Sequence, residues 1–205
     1  MSYLHDKWQA FLPSDCDLSV SESVWNRLVD AYSQPNRFYH NLLHIEQMVS
    51  VLEQSGCRDK EVYLATFFHD YVYVAGYHEN EAQSGAYAER SLVAMGFDPG
   101  VSVRVKTLVL HTATYGVRYK QHAGKALFDA DMSILGQDET TYGEYSVSVR
   151  KEYSMLKDAE YNAARVEFLK GLLNLPSIYK LDWFKEQFEQ QARTNIEAEI
   201  KLLEA

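Results

Sequence analysis

Residues 62–73 read Val-Tyr-Leu-Ala-Thr-Phe-Phe-His-Asp-Tyr-Val-Tyr, an apolar run broken by a single ionisable doublet, His69-Asp70. Val62, Ala65, Phe68 and Val72 recur at the three- and four-residue steps of one helix face. Val72-Tyr73-Val74 would suit a short strand by composition, as would Leu108-Val109-Leu110, but neither has alternating partners or a hairpin turn beside it. The same helical spacing continues outward in both directions. Val20, Val24, Trp25, Leu28, Val29 and Tyr32 form a stripe in 19–33, and Leu42, Ile45, Val49 and Leu52 form the next. Val101, Val105, Leu108 and Val109 follow, then Tyr145, Val149, Tyr153 and Leu156. A last block over 181–204 is rich in the good helix formers Glu, Gln, Lys and Ala. The four prolines, at positions 13, 35, 99 and 176, fall between these blocks, where helices break. The spacing predicts an all-α fold. Without an internal repeat or a linker rich in Gly, Ser or Pro, it predicts one helical domain over residues 1–205.

A histidine and an aspartate in a buried helix are costly unless hydrogen-bonded or bound to a cation. Two other segments offer matching groups. His40 and His44 are spaced i, i+4, which a helix would place on one face. Asp129 and Asp131 lie among apolar neighbours in Leu127-Phe128-Asp129-Ala130-Asp131-Met132. His44, His69, Asp70 and Asp131 together form a mixed nitrogen and oxygen set suited to one divalent metal ion. The residue types do not discriminate among Mn, Mg, Co, Ni, Fe and Zn. Plainer readings stand beside this one. An isolated histidine is more often a hydrogen-bonded core or surface residue, which applies above all to His40, and Asp129 or Asp131 could cap a helix.

The bulk composition narrows the function classes. With 46% hydrophobic and 24% charged residues, the chain has the make-up of an ordinary globular protein. Its net charge of −9 and lack of a Lys/Arg run argue against duplex nucleic acid as a partner. No stretch reaches the ~18 apolar residues of a membrane span, and the first residues do not read as a signal peptide. Cys16 and Cys57 lack zinc-knuckle spacing and are too few for a disulfide framework, so they read as reduced thiols in a cytoplasmic protein. A homo-oligomer is compatible with the sequence.

The order His44, His69-Asp70, Asp131 resembles the HD superfamily of metal-dependent phosphohydrolases, whose helical core binds metal through His…His-Asp…Asp. More specifically, the chain is similar to a small bacterial subfamily of predicted HD-superfamily phosphohydrolases. The matching stretches are Tyr39-His40-Asn41 through His44, FFHDYVY from Phe67, Asn80-Glu81 with Ser84, FDADMSILG from Phe128, RKEY from Arg150, and Ala192-Arg193 with Asn195. The resemblance implies an HD-type bundle with its metal-binding core over about 37–136 and C-terminal helices over about 138–205 packed on it. One position departs: the subfamily pattern has a Thr followed three residues later by a His, whereas Thr112 is followed by Tyr115, with His111 nearby. Members with two metals use extra histidines between the doublet and the last Asp, for which His78, His111 and His122 are the candidates by order. One metal is the expectation.

A metal-activated water hydrolysing a phosphate ester follows from such a site, with Asp70 both ligand and catalytic residue. A small nucleotide-like substrate fits the aromatic richness of the chain, which holds fifteen tyrosines. Proton transfer needs a further group. Glu81 is the candidate, although Asn80-Glu81-Ala82-Gln83 also suits a helix start in which Asn80 caps and Gln83 reaches back. For the substrate, His40, His111, Tyr115 and Arg150 are expected contacts, with Arg37, Lys125 and Arg165 as other sources of positive charge. Arg150 could equally pair with Glu152. Two alternatives remain: a non-catalytic HD module that binds or senses a ligand, and an HD oxygenase with two irons.

Overall fold

A computed structural model describes residues 2–113 and 121–205 of the chain. Among them the fold is all-helical: α1 (Ser2–Ala10), α2 (Leu18–Tyr32), α3 (Leu42–Gln54), α4 (Lys60–Phe68), α5 (Asn80–Ala94), α6 (Pro99–Thr112), α7 (His122–Asp131), a 3-10 turn (Met132–Gly136), α8 (Glu139–Glu152), α9 (Asp158–Leu173) and α10 (Asp182–Leu203). The helix starts are written into the sequence. Asp17, Asn41, Asp59, Asp98 and Asp138 each precede a helix and accept a backbone N–H of its first turn, and Pro99 occupies a first-turn position that needs no donor.

The helix carrying the doublet is the centre of the molecule. Every residue of α4 from Val62 to Phe68 is buried, and the helix packs on α3, α5, α6 and α7. A helix apolar on all faces can be placed only inside others. One contiguous hydrophobic cluster runs from Leu4 and Trp8 in α1 to Ile196 and Ile200 in α10. The C-terminal helices join it through the 3-10 turn, which lies against α8 and α10. There Gly136 is required by contact: a Cβ on it would stand 2.6 Å from the Phe188 carbonyl oxygen. No described helix is long and apolar enough to cross a membrane.

Three helix boundaries differ from the sequence reading: those of α4 and α3, and that of α8, which ends at Glu152 and leaves Tyr153 and Leu156 of the predicted stripe outside it. α4 ends at Phe68, so His69 is its C-terminal cap and Asp70 lies just beyond, with Val72 outside the helix. α3 starts at Leu42, so His40 precedes it and the i, i+4 helical face shared with His44 does not exist. The physical reason for the first lies in groups distant in sequence. Buried Arg37 donates to the carbonyls of Asp70 at 2.6 Å and Tyr71 at 2.8 Å. The Tyr32 hydroxyl donates to Phe67 O at 3.1 Å and accepts the Asp70 N–H at 3.2 Å. These side chains take up backbone groups that a longer helix would have paired internally.

Candidate metal centre

The ends of three helices converge on one point. His44 comes from the first turn of α3, His69 from the C-cap of α4, and Asp131 from the last residue of α7. Their ligand atoms all lie within 4.8 Å of one another, a group that could hold a metal ion. His44 Nε2 is 3.3 Å from His69 Nε2 and 3.3 Å from Asp131 Oδ1, which is 3.9 Å from His69 Nε2. Asp70 joins through one partner, its Oδ2 lying 3.0 Å from His69 Nε2. Both imidazoles are buried, at 2% and 1% exposure, while Asp131 keeps an open side.

The histidine hydrogen bonds give the site its sign. His69 Nδ1 is 2.9 Å from the Thr66 carbonyl, an oxygen that only accepts, so Nδ1 carries a proton. Nε2 therefore offers its lone pair to a space already facing His44 Nε2 and two carboxylates. Such a cluster needs a cation at its centre, either a proton or a metal ion. Burial pushes the His69 imidazole down, but the neighbouring Asp70 carboxylate, with Asp131 beyond it, outweighs burial and holds the pKa up at about 9. Burial lowers His44 and keeps it neutral, and the His69 charge holds Asp70 well below the usual carboxylate range despite its burial.

A pH dependence follows. The folded His69 lies above its ordinary value of 6.5, so its proton stabilises the metal-free fold fully below that value and ceases to do so as pH rises through about 9. A metal must displace this proton. Apparent affinity for Mn²⁺ should therefore rise with pH, by up to about tenfold per unit, and level off near pH 9. Calorimetric titrations at pH 6, 7, 8 and 9 check it; an affinity flat over that range would contradict the proton and metal competing for one position.

The cluster opens onto a cavity of about 360 Å³ whose walls include His40, Tyr73, Glu81, Tyr145, Arg165 and Phe168. Glu81 is half-buried there, and its burial, with the Asp70 and Asp131 carboxylates close by, pushes its pKa up, the direction that suits a proton donor. It also lies in the first turn of α5. The expected cap is corrected, however. Asn80 does not cap α5, and Gln83 turns to Tyr77 and Glu79; both ends of the Asn80 amide instead pin Val74, at 3.0 Å to its N–H and 2.9 Å to its carbonyl. The loop after the doublet is thereby tied to α5.

Several expected contacts lie elsewhere. Arg150 is outside the walls of the cavity: its guanidinium donates to the Tyr153 and Leu156 carbonyls and to Asp158, holding the loop after α8. Its suggested partner Glu152 pairs with His40 instead. Arg37 is committed to the doublet's backbone, and Arg165, which does line the cavity, is neutralised by Glu199 at 2.9 Å. Neither His111 nor exposed His78 and His122 belongs to the metal group or the cavity walls, although Thr112 does line the cavity. Tyr115 lies outside the described residues. Asp129 turns away from the site and accepts the N–H groups of Lys180 and Leu181, docking the start of α10, while burial pushes its pKa up to about 7. Asp131 makes no side-chain cap.

The sequence reading named Glu152, Arg37 and Tyr32 but missed what each of them does at the site. Each acts across 33 or more positions, for example Arg37 on Asp70 and Glu152 on His40, and no local pattern announces such pairs. Compared with known proteins, the chain matches no family model, no curated protein and no solved structure.

Proposed function

We propose that the chain is an HD-type, metal-dependent phosphohydrolase that cleaves a phosphate ester of a small nucleotide-like substrate. The observation that carries this reading is the convergence of His44, His69 and Asp131, with Asp70 on His69, around a position that demands a cation at the floor of an open cavity. A divalent ion held there would lower the pKa of bound water and polarise a phosphoryl oxygen. The two imidazoles and Asp131 hold the ion, and Asp70 adds negative charge beside His69. Glu81, with its raised pKa, supplies a proton to the leaving oxygen. The aromatic walls take the organic part of the ester.

A non-catalytic, ligand-sensing reading draws on one observation. Arg165, the cation in the cavity wall among the described residues, is already paired with Glu199, so no uncommitted positive side chain for phosphate stands in the walls that the described residues form. Turnover separates the two readings. Generic phosphomonoesters, phosphodiesters and a nucleotide panel, assayed with Mn, Mg, Co, Ni, Fe and Zn, should give hydrolysis that a chelator removes. Tight binding without hydrolysis under every metal would favour the sensor.

A further inference from the structure

His40 enters the cavity in a way that the metal cluster does not require. Its Nδ1 lies 2.6 Å from Oε2 of Glu152, a residue whose side chain is 1% exposed. Glu152 is itself fully engaged. Oε1 accepts the backbone N–H groups of Tyr39 at 2.8 Å and His40 at 3.0 Å, and Oε2 also accepts the Tyr73 hydroxyl at 3.0 Å. Tyr73 in turn stacks on the imidazole, with ring centroids 4.1 Å apart and planes 25° apart. The ring is thus held at its face and at one nitrogen, an arrangement that leaves little freedom of rotation.

A carboxylate beside Nδ1 can only accept, so it fixes the proton of a neutral imidazole on Nδ1 and leaves Nε2 as the lone pair. Nδ1 is turned to the buried carboxylate while the residue lines the cavity, so Nε2 is the nitrogen on the open side. We propose that Glu152 is a positioning residue that holds His40 as an Nε2 acceptor, and that His40 orients the attacking water of the phosphohydrolase by accepting its hydrogen bond. This inference rests on the hydrolytic reading above. It places Glu81 and His40 in different tasks, Glu81 at the leaving oxygen and His40 at the water.

The substitution Glu152→Gln tests it with little change of shape. With the amide oxygen at the Oε1 position, both backbone N–H groups keep their acceptor. The amide NH₂ then stands where Oε2 was and donates to Nδ1, which moves the ring proton to Nε2. The lone pair leaves the cavity. In the wild type, ¹⁵N NMR of labelled histidine should show His40 with Nδ1 protonated and Nε2 bare, and in the variant the reverse. With Mn²⁺ bound, kcat on a generic ester should fall by about 100-fold or more, with KM and metal affinity within about threefold of wild type. A wild-type His40 protonated on Nε2 would overturn the assignment without any variant. A reversed tautomer with kcat within about twofold would overturn the role. Wild-type protein that binds metal with the expected tautomer yet hydrolyses no ester would sink the hydrolytic reading, and the water-orienting role with it, while leaving the Glu152–His40 pair standing.

Discussion

Asp131→Ala should lose tight metal binding. Asp131 Oδ1 is the oxygen that both imidazoles face, 3.3 Å from His44 Nε2 and 3.9 Å from His69 Nε2, and it completes the group that could hold the ion. Removing partners that only orient a ligand typically costs about 10–100-fold in affinity, and removing a ligand costs more. A loss above about 100-fold is the expectation for Asp131→Ala. Asp70→Ala should lower metal affinity too, and without the charge that offsets burial the His69 pKa falls from about 9. Its pH dependence of metal binding should therefore flatten where the wild type still rises. Titrations of Mn²⁺ into wild type and both variants, with circular dichroism to show an unchanged helical fold, check the pair. Near-wild-type affinity in Asp131→Ala would mean that the ion is held elsewhere.

Arg165→Met should be strongly destabilising. Arg165 and Glu199 are buried at 7% and 6% side-chain exposure and joined by two hydrogen bonds, Nε to Oε1 at 2.9 Å and a terminal nitrogen to Oε2 at 3.1 Å. Glu199 also accepts the hydroxyls of Tyr142 and Ser146, and Arg165 donates to Tyr145. Burial pushes the Glu199 carboxyl up, but Arg165 outweighs it and keeps the group ionised. Without the guanidinium a charged carboxylate stays buried with hydroxyls alone. Breaking one side of such a pair costs roughly 3–5 kcal/mol, a fall in Tm of order 10 °C for a chain of this size. Glu199→Met added to Arg165→Met should recover much of the loss, because an apolar pair leaves no uncompensated charge. The deficit of the single variant should also shrink as pH falls and Glu199 takes up a proton. Thermal unfolding at pH 5 and pH 7.5 reads both effects, and a single variant as stable as wild type would show the pair to contribute nothing net.

The helices were legible because periodicity is local. The apolar stripes of 19–33 and Leu42 to Leu52 and the block of good helix formers over 181–204 appear as α2, α3 and α10 almost to the residue, whereas the caps that form are five other Asx residues and not Asn80, Asp129 or Asp131. The site was legible in part for a different reason. His44, His69 and Asp131 stood out as polar groups among apolar ones, and burial forces such groups to share a partner. Roles that depend on which of several acceptors a flexible cation reaches were not legible. Arg150 sits beside Glu152 in sequence yet turns to Tyr153, Leu156 and Asp158, while Glu152 reaches His40 across 112 positions.

By itself, then, the sequence determined that the chain is helical, where several of its helices run, and which ionisable residues would gather inside. Spacing along a chain encodes which faces are apolar and which polar groups will be buried. Only the tertiary structure decided that α4 stops at Phe68, that Asp129 docks α10 while Asp131 faces the imidazoles, and that Glu152 fixes His40. Each of those outcomes turns on the direction of a hydrogen bond between groups far apart in sequence. Such a direction is set once packing has brought donor and acceptor together and shut out water.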